Sequence, residues 1–188
     1  PSSEGFANQD GNTAQELYND DIFVGYRYYD TFGVDVSYPF GYGGSYTSFA
    51  MSTKSVKADK DKVTVQVKVK NTGTVSGKEV AEVYFSAPDG ELDKPYQELV
   101  GYAKTDELAP GESQILTISF DTKEMGSYDT DKAAYVMEDG DYIIRVGNSS
   151  RNTHVAAKLN VAEDTITEQY SNLMVPVTEN DNIENSDK

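Results

Sequence analysis

From Lys62 to Lys70 the chain alternates valine with polar residues. Val63, Val65, Val67 and Val69 fall on one face, and Thr64, Gln66 and Lys68 on the other. A period of two predicts a half-buried strand with one wet face. Four β-branched residues at that spacing disfavour a helix. Related runs recur. Residues 45–56 are anchored by Tyr46, Phe49 and Met51, and residues 79–86 by Val80, Val83 and Phe85. Residues 98–104 carry Leu99, Val100 and Tyr102, and residues 114–120 carry Ile115, Leu116, Ile118 and Phe120. A short run at 134–137 precedes Glu138-Asp139-Gly140-Asp141, a hairpin turn signal. Residues 141–146 and 154–161 complete the series. Asn71-Thr72-Gly73 and Pro110-Gly111 mark further turns. About eight short strands at regular spacing, with no strong amphipathic helix, predict an antiparallel sandwich, with a closed barrel as the lesser alternative.

The flanks differ from this centre. Residues 1–40 are expected to form an extended linker or the end of a preceding domain, polar at first and aromatic later. The sandwich is expected over 41–162. Residues 163–188 hold seven acids (Glu163, Asp164, Glu168, Glu179, Asp181, Glu184 and Asp187) against the single base Lys188. Few large apolar groups follow Val177, so this end reads as an acidic tail or interdomain linker. The whole chain has 188 residues and a formal charge of −16. It is long enough for one domain with a sizeable core. Such an acid excess repels nucleic acid and anionic membrane, so neither is expected as a partner. No run is apolar enough to predict a membrane span. The first residues lack the basic and apolar regions of a signal peptide. The chain has no cysteine, which excludes disulfides and thiolate metal sites.

Several phrases are more specific than a strand pattern. Ile22-Phe-Val-Gly-Tyr-Arg-Tyr-Tyr-Asp30 and Tyr38-Pro-Phe-Gly-Tyr-Gly-Gly-Ser-Tyr-Thr47 resemble the segment that leads into the fibronectin type III-like domain of family 3 glycoside hydrolases. Val69-Lys-Asn-Thr-Gly73 with Gly77-Lys-Glu-Val80 resembles that domain's strand-turn-strand signature. Glu98-Leu-Val-Gly-Tyr102, Leu108-Ala-Pro-Gly-Glu112, and Gly140-Asp-Tyr142 with Val146-Gly-Asn-Ser149 follow in order. The resemblance spans residues 18–161 and implies an immunoglobulin/fibronectin type III-like antiparallel β-sandwich with an extended N-terminal segment. It also implies an accessory part of a β-glucosidase-like enzyme, bracing the catalytic domains. In that family an Asp nucleophile sits on a barrel and a Glu acid/base on a second domain. Neither segment has a counterpart here, so no catalytic residue, cofactor or metal ligand is carried over. Some members place the barrel after this domain; 23–30 looks most like that branch, and the acidic tail would then lead toward the barrel. One departure is visible: Gly44 stands where the family usually has Leu before Ser-Tyr-Thr, which puts one core contact in doubt.

The remaining candidates are weighed residue by residue. Retaining glycoside hydrolysis needs two carboxyls about 5–5.5 Å apart, and the acids here sit by turns or on polar strand faces. Asp89-Gly-Glu91-Leu-Asp93 alternates acids as a calcium loop does but lacks the downstream bidentate Glu, so it reads as an acidic turn. His154 is the only histidine and reads as a surface or edge residue. The aromatic–basic run is the strongest candidate. Phe23, Tyr26, Arg27, Tyr28, Tyr29 and Tyr38 are expected either to dock onto catalytic domains of a larger enzyme or to pack on their own sandwich. Arg27 would pair with a carboxylate or stack on a ring. With Phe32, these rings predict an adhesive patch and homodimers of the isolated chain. A carbohydrate- or partner-binding module is the alternative function, although the chain has no tryptophan for a sugar platform.

Overall fold

A computed structural model describes residues 20–173 and Glu184. Ten strands and one short helix follow in order. They are α1 (Tyr26–Thr31), β1 (Phe49–Ala58), β2 (Lys62–Asn71), β3 (Val80–Ser86), β4 (Glu98–Lys104), β5 (Ser113–Asp121), β6 (Ser127–Asp129), β7 (Ala134–Met137), β8 (Gly140–Gly147), β9 (Thr153–Val161) and β10 (Thr165–Gln169). A 3-10 turn, Thr122–Met125, joins β5 to β6. One sheet runs β1-β2-β5 and the second β4-β3-β8-β9, with all pairs antiparallel. A third, small sheet runs β10-β7-β6.

The alternation of β2 becomes the floor of the core. Val63, Val65, Val67 and Val69 are buried, while the residues between them face outward. Leu116, Ile118 and Phe120 extend that face from β5. Ile115 is exposed on the other face, as the period of two requires. Across the sandwich, Ala81, Val83 and Phe85 of β3 and Tyr142, Ile144 and Val146 of β8 close the core. Each fully buried aliphatic or aromatic side chain contributes about 1.5–3 kcal/mol. Asn71 knots one end. It is fully buried, donates to the carbonyls of Val75 and Leu108, and accepts from Thr47 Oγ1 and the Gly73 amide.

Three features depart from the sequence pattern. The turn signal at 138–141 does not join β7 to β8 as a hairpin: β7 pairs with β6 and β10, and β8 with β3 and β9. Its residues are used elsewhere. The Glu138 carboxylate accepts the amides of Glu91 and Leu92 and the buried ammonium of Lys94. Gly140 has φ 130° and lies so close to Pro88 that a Cβ there would meet the proline ring at 2.7 Å. These contacts tie residues 88–94 to the segment between β7 and β8. The segment from 163 onward begins not as tail but as β10, held on β7 by backbone pairing and by Gln169, which donates to the carbonyls of Lys132 and Ala133. Most of the rest of the acidic tail lies outside the described residues, as do residues 1–19 of the linker. Within the expected extended segment, Tyr26–Thr31 forms one and a half turns of helix, behind Gly25 at φ 59°.

Candidate docking site

Residues 20–47 cross the outer face of the four-stranded sheet as a strap. The sequence of β3 explains why there is something to cover. Val80–Ser86 is buried on both faces: Ala81, Val83 and Phe85 point inward, and Glu82 and Tyr84 point outward beneath the strap. Tyr26 lies edge-on to Tyr84 at 6.1 Å and stacks on Phe40 at 4.7 Å, and its hydroxyl accepts the Leu99 amide at 2.9 Å. Gly41, at φ 83°, passes so close to Glu82 that a Cβ would meet its carboxylate at 2.4 Å.

Polar clips finish the attachment. The Arg151 guanidinium donates from Nε to Asp30 Oδ1 at 2.8 Å and from Nη2 to the carbonyls of Tyr29 at 3.1 Å and Val34 at 2.5 Å. The Ser150 amide donates to the Phe40 carbonyl at 2.8 Å, and the Tyr96 amide to Thr31 Oγ1 at 2.8 Å. Arg27 Nε stands 3.5 Å from Glu98 Oε2. Arg151, Ser150 and Tyr96 were not singled out in the sequence, and Glu98 only as the first residue of a family-like phrase. Their neighbours Asn148-Ser149 and Leu99-Val100 lie in the family-like phrases, but no local periodicity marks a clip.

Burial sets the electrostatics under the strap. It pushes the Glu82 carboxyl up from its usual range, the Tyr84 hydroxyl pulls it partly back, and nearby Glu79 adds to the rise. Burial also raises Glu98, with Arg27 opposing. The Tyr84 phenol is raised, first by burial and then by its 2.6 Å hydrogen bond to Glu82. Glu82 is therefore roofed by Gly41 and already engaged by Tyr84. It belongs to the seam, where burial disfavours its ionised form.

The six docking candidates separate by this geometry. Phe23 is fully buried, 5.2 Å edge-on to Phe32, and offers no surface to a partner. Tyr26 and Arg27 are committed largely to their own sandwich. Tyr28 and Tyr29 are half-buried and touch each other edge-on at 5.5 Å. Tyr38 is 71% exposed and leans on Tyr42, itself 58% exposed, at 5.0 Å. Phe40 and Tyr46 are exposed beside them. The free rings thus lie at 38–46, one step beyond the run that the sequence emphasised. Gly44 is exposed there, and a Cβ would meet nothing within 4 Å, so no core contact exists at that position to be lost.

The other candidates have structural places. The 89–93 turn is tied down by Glu138, and among the described residues no three His, Asp or Glu converge as a metal site. His154 is exposed on β9, with Nε2 3.0 Å from Thr53 Oγ1 on β1. Tyr128, Tyr135 and Tyr170 cluster on the small sheet, but their planes stand at 64° and 70°, which makes no flat platform for a sugar ring. A cleft of about 910 Å³ is lined by Met125, Met137 and Leu159 and also by Lys60, Lys123 and Lys158. Among the described residues no helix is long and apolar enough to cross a membrane.

Residues 79–150 match the fibronectin type III-like domain family. A β-glucosidase of Ruminococcus albus is 42% identical over 184 residues, 95% of this chain and 19% of that enzyme. β-Glucosidase A of Butyrivibrio fibrisolvens is 40% identical over 201 residues, 95% of this chain and 24% of that enzyme. Among solved structures, a β-glucosidase from Paenibacillus barengoltzii superposes with TM-score 0.82 at 44% identity, covering 89% of this chain and 20% of that one. β-Glucosidase 3B from Thermotoga neapolitana, in complex with α-D-glucose, gives TM-score 0.76 at 44% identity, covering 81% and 21%. The chain spans about a fifth of the length of these relatives. With its antiparallel sandwich and the strap that leads into it, the chain belongs to the fibronectin type III-like accessory domains of family 3 β-glucosidases.

Proposed function

We propose that this domain braces the catalytic domains of a β-glucosidase that removes terminal β-linked glucose by a retaining mechanism. The observation that carries the reading is the strap. It is fixed to the sandwich by Arg151, Tyr26 and Gly41, yet it leaves Tyr38, Phe40, Tyr42 and Tyr46 exposed along one stretch. Contiguous exposed rings on a rigid support are what a protein interface uses. The relatives supply the larger frame, since each carries some four-fifths of its length beyond the region matched here.

The test is reconstitution. Mixing this chain with the separately produced remainder of its parent enzyme is expected to give a complex and to restore aryl β-glucoside hydrolysis. Absence of both association and activity would overturn the bracing role. The same rings drive homodimers of the isolated chain, opposed by its net charge of −16. Sedimentation is therefore expected to show self-association that grows with salt. A strict monomer at high concentration in high salt would remove that part of the proposal.

A further inference from the structure

Beside α1 the strap folds over a cleft of about 230 Å³. Its aromatic walls are Tyr26, Tyr29, Tyr38 and Phe40, and the only charged lining residue is Asp30. The faces of aromatic rings carry negative potential and attract cations lying within about 6 Å of the ring centre. The carboxylate of Asp30, ion-paired with Arg151, lies among them. Its Oδ1 receives Arg151 Nε, but Oδ2 is buried with no hydrogen-bond partner. Buried carboxylate oxygens are ordinarily satisfied, and an unsatisfied one marks a place where a donor is missing. Arg151 does not fill it, because its Nη2 is directed to the carbonyls of Tyr29 and Val34.

We propose that this cleft receives a lysine or arginine side chain from the neighbouring catalytic domain. This rests on the bracing role above and names the chemistry of the contact. Three observations choose that occupant. The walls combine aromatic rings with one carboxylate, which suits an ammonium or guanidinium better than an anion. The cleft is continuous with the exposed rings, since Tyr38 lines it and leans on Tyr42 outside it. A second copy of this chain, also at −16, is repelled most at low salt, the condition in which a cationic side chain is held best.

The experiment titrates the whole chain with N-acetyl-argininamide or N-acetyl-lysinamide at constant ionic strength. N-acetyl-glutaminamide serves as the neutral control, and ring resonances are followed by NMR. Saturable shifts of Tyr26, Tyr29 and Tyr38 are expected with the cationic amides, with Kd on the order of millimolar. Tyr38→Ala removes an exposed ring and leaves the core untouched; it is expected to weaken binding about fivefold. Asp30→Asn is expected to weaken it at least as much. Equal responses to cationic and neutral amides would overturn the proposal, as would full-strength binding by Tyr38→Ala. The reconstitution assay separates the two readings. If Tyr38→Ala and Asp30→Asn associate with the rest of the enzyme as tightly as the parent chain, the cleft is not where the catalytic domain inserts a cation, although docking itself stands. Association weakened about fivefold by Tyr38→Ala supports the assignment.

Discussion

Between β2 and β8 the core is apolar from both sides: the valines share one buried cluster with Tyr142, Ile144 and Val146. Between the strap and the same domain the contact is mostly polar and aromatic: two guanidinium groups, several backbone amides, and Tyr26 wedged against Tyr84. The first interface scales with buried area and tolerates little change of shape. The second depends on a few directed contacts, each modest on its own. The strap is therefore the part that can loosen while the sandwich persists, a suitable property for a segment that joins one domain to another.

The comparison breaks most severely through the core. Phe85→Ala is expected to cost about 3–5 kcal/mol, read as a fall in the denaturant midpoint, and to lower the protection of every strand together. Arg151→Ala comes next and acts locally. Hydrogen exchange of residues 26–34 is expected to speed up by one to two orders of magnitude, matching about 1.5–3 kcal/mol of charge-assisted bonding. Amides of β2 and β8 are expected to keep theirs; equal loss in both regions would mean that strap and core are one cooperative unit. Glu82 then sharpens the electrostatics of the seam. Its folded pKa is raised by burial, so its contribution is full below the unfolded value of about 4.3 and is lost as pH rises through the folded one. Glu82→Gln is expected to change stability little at pH 4 and to stabilise at pH 8, measured as urea midpoints at the two values. Gly44→Leu should matter least, within about 0.5 kcal/mol, because the side chain would enter open space.

The sandwich was legible because its signal is local. A period of two marks β2 and β5 whichever strands lie beside them, and their buried residues are those that the alternation names. Where a residue's role depends on a distant partner, the local pattern misled. Asp139-Gly140 carries hairpin chemistry, yet Lys94, some 44 positions earlier, draws Glu138 into a buried pair and the turn serves the 88–97 loop instead. The aromatic run at 23–29 was legible as unusual, but its split into a buried Phe23, a wedged Tyr26 and a half-exposed Tyr29 depends on Arg151 and Leu99, more than seventy positions away. β10 was hidden by composition. Thr165–Gln169 has one large aliphatic residue, and its pairing comes from the backbone and Gln169 rather than from an apolar face.

The wedge of Tyr26 against Tyr84 also gives the protein an optical gauge. There is no tryptophan among the 188 residues, so near-ultraviolet absorption and emission belong chiefly to the tyrosines. Most of the other tyrosines are wholly or partly open to water, whereas Tyr84 is sealed, its hydroxyl on Glu82 and its ring edge against the strap. Lifting the strap would expose Tyr84, free Tyr26 from its packing and leave Tyr142 in the core unchanged, so the near-ultraviolet circular dichroism of the unlabelled chain reports on whether the strap is seated.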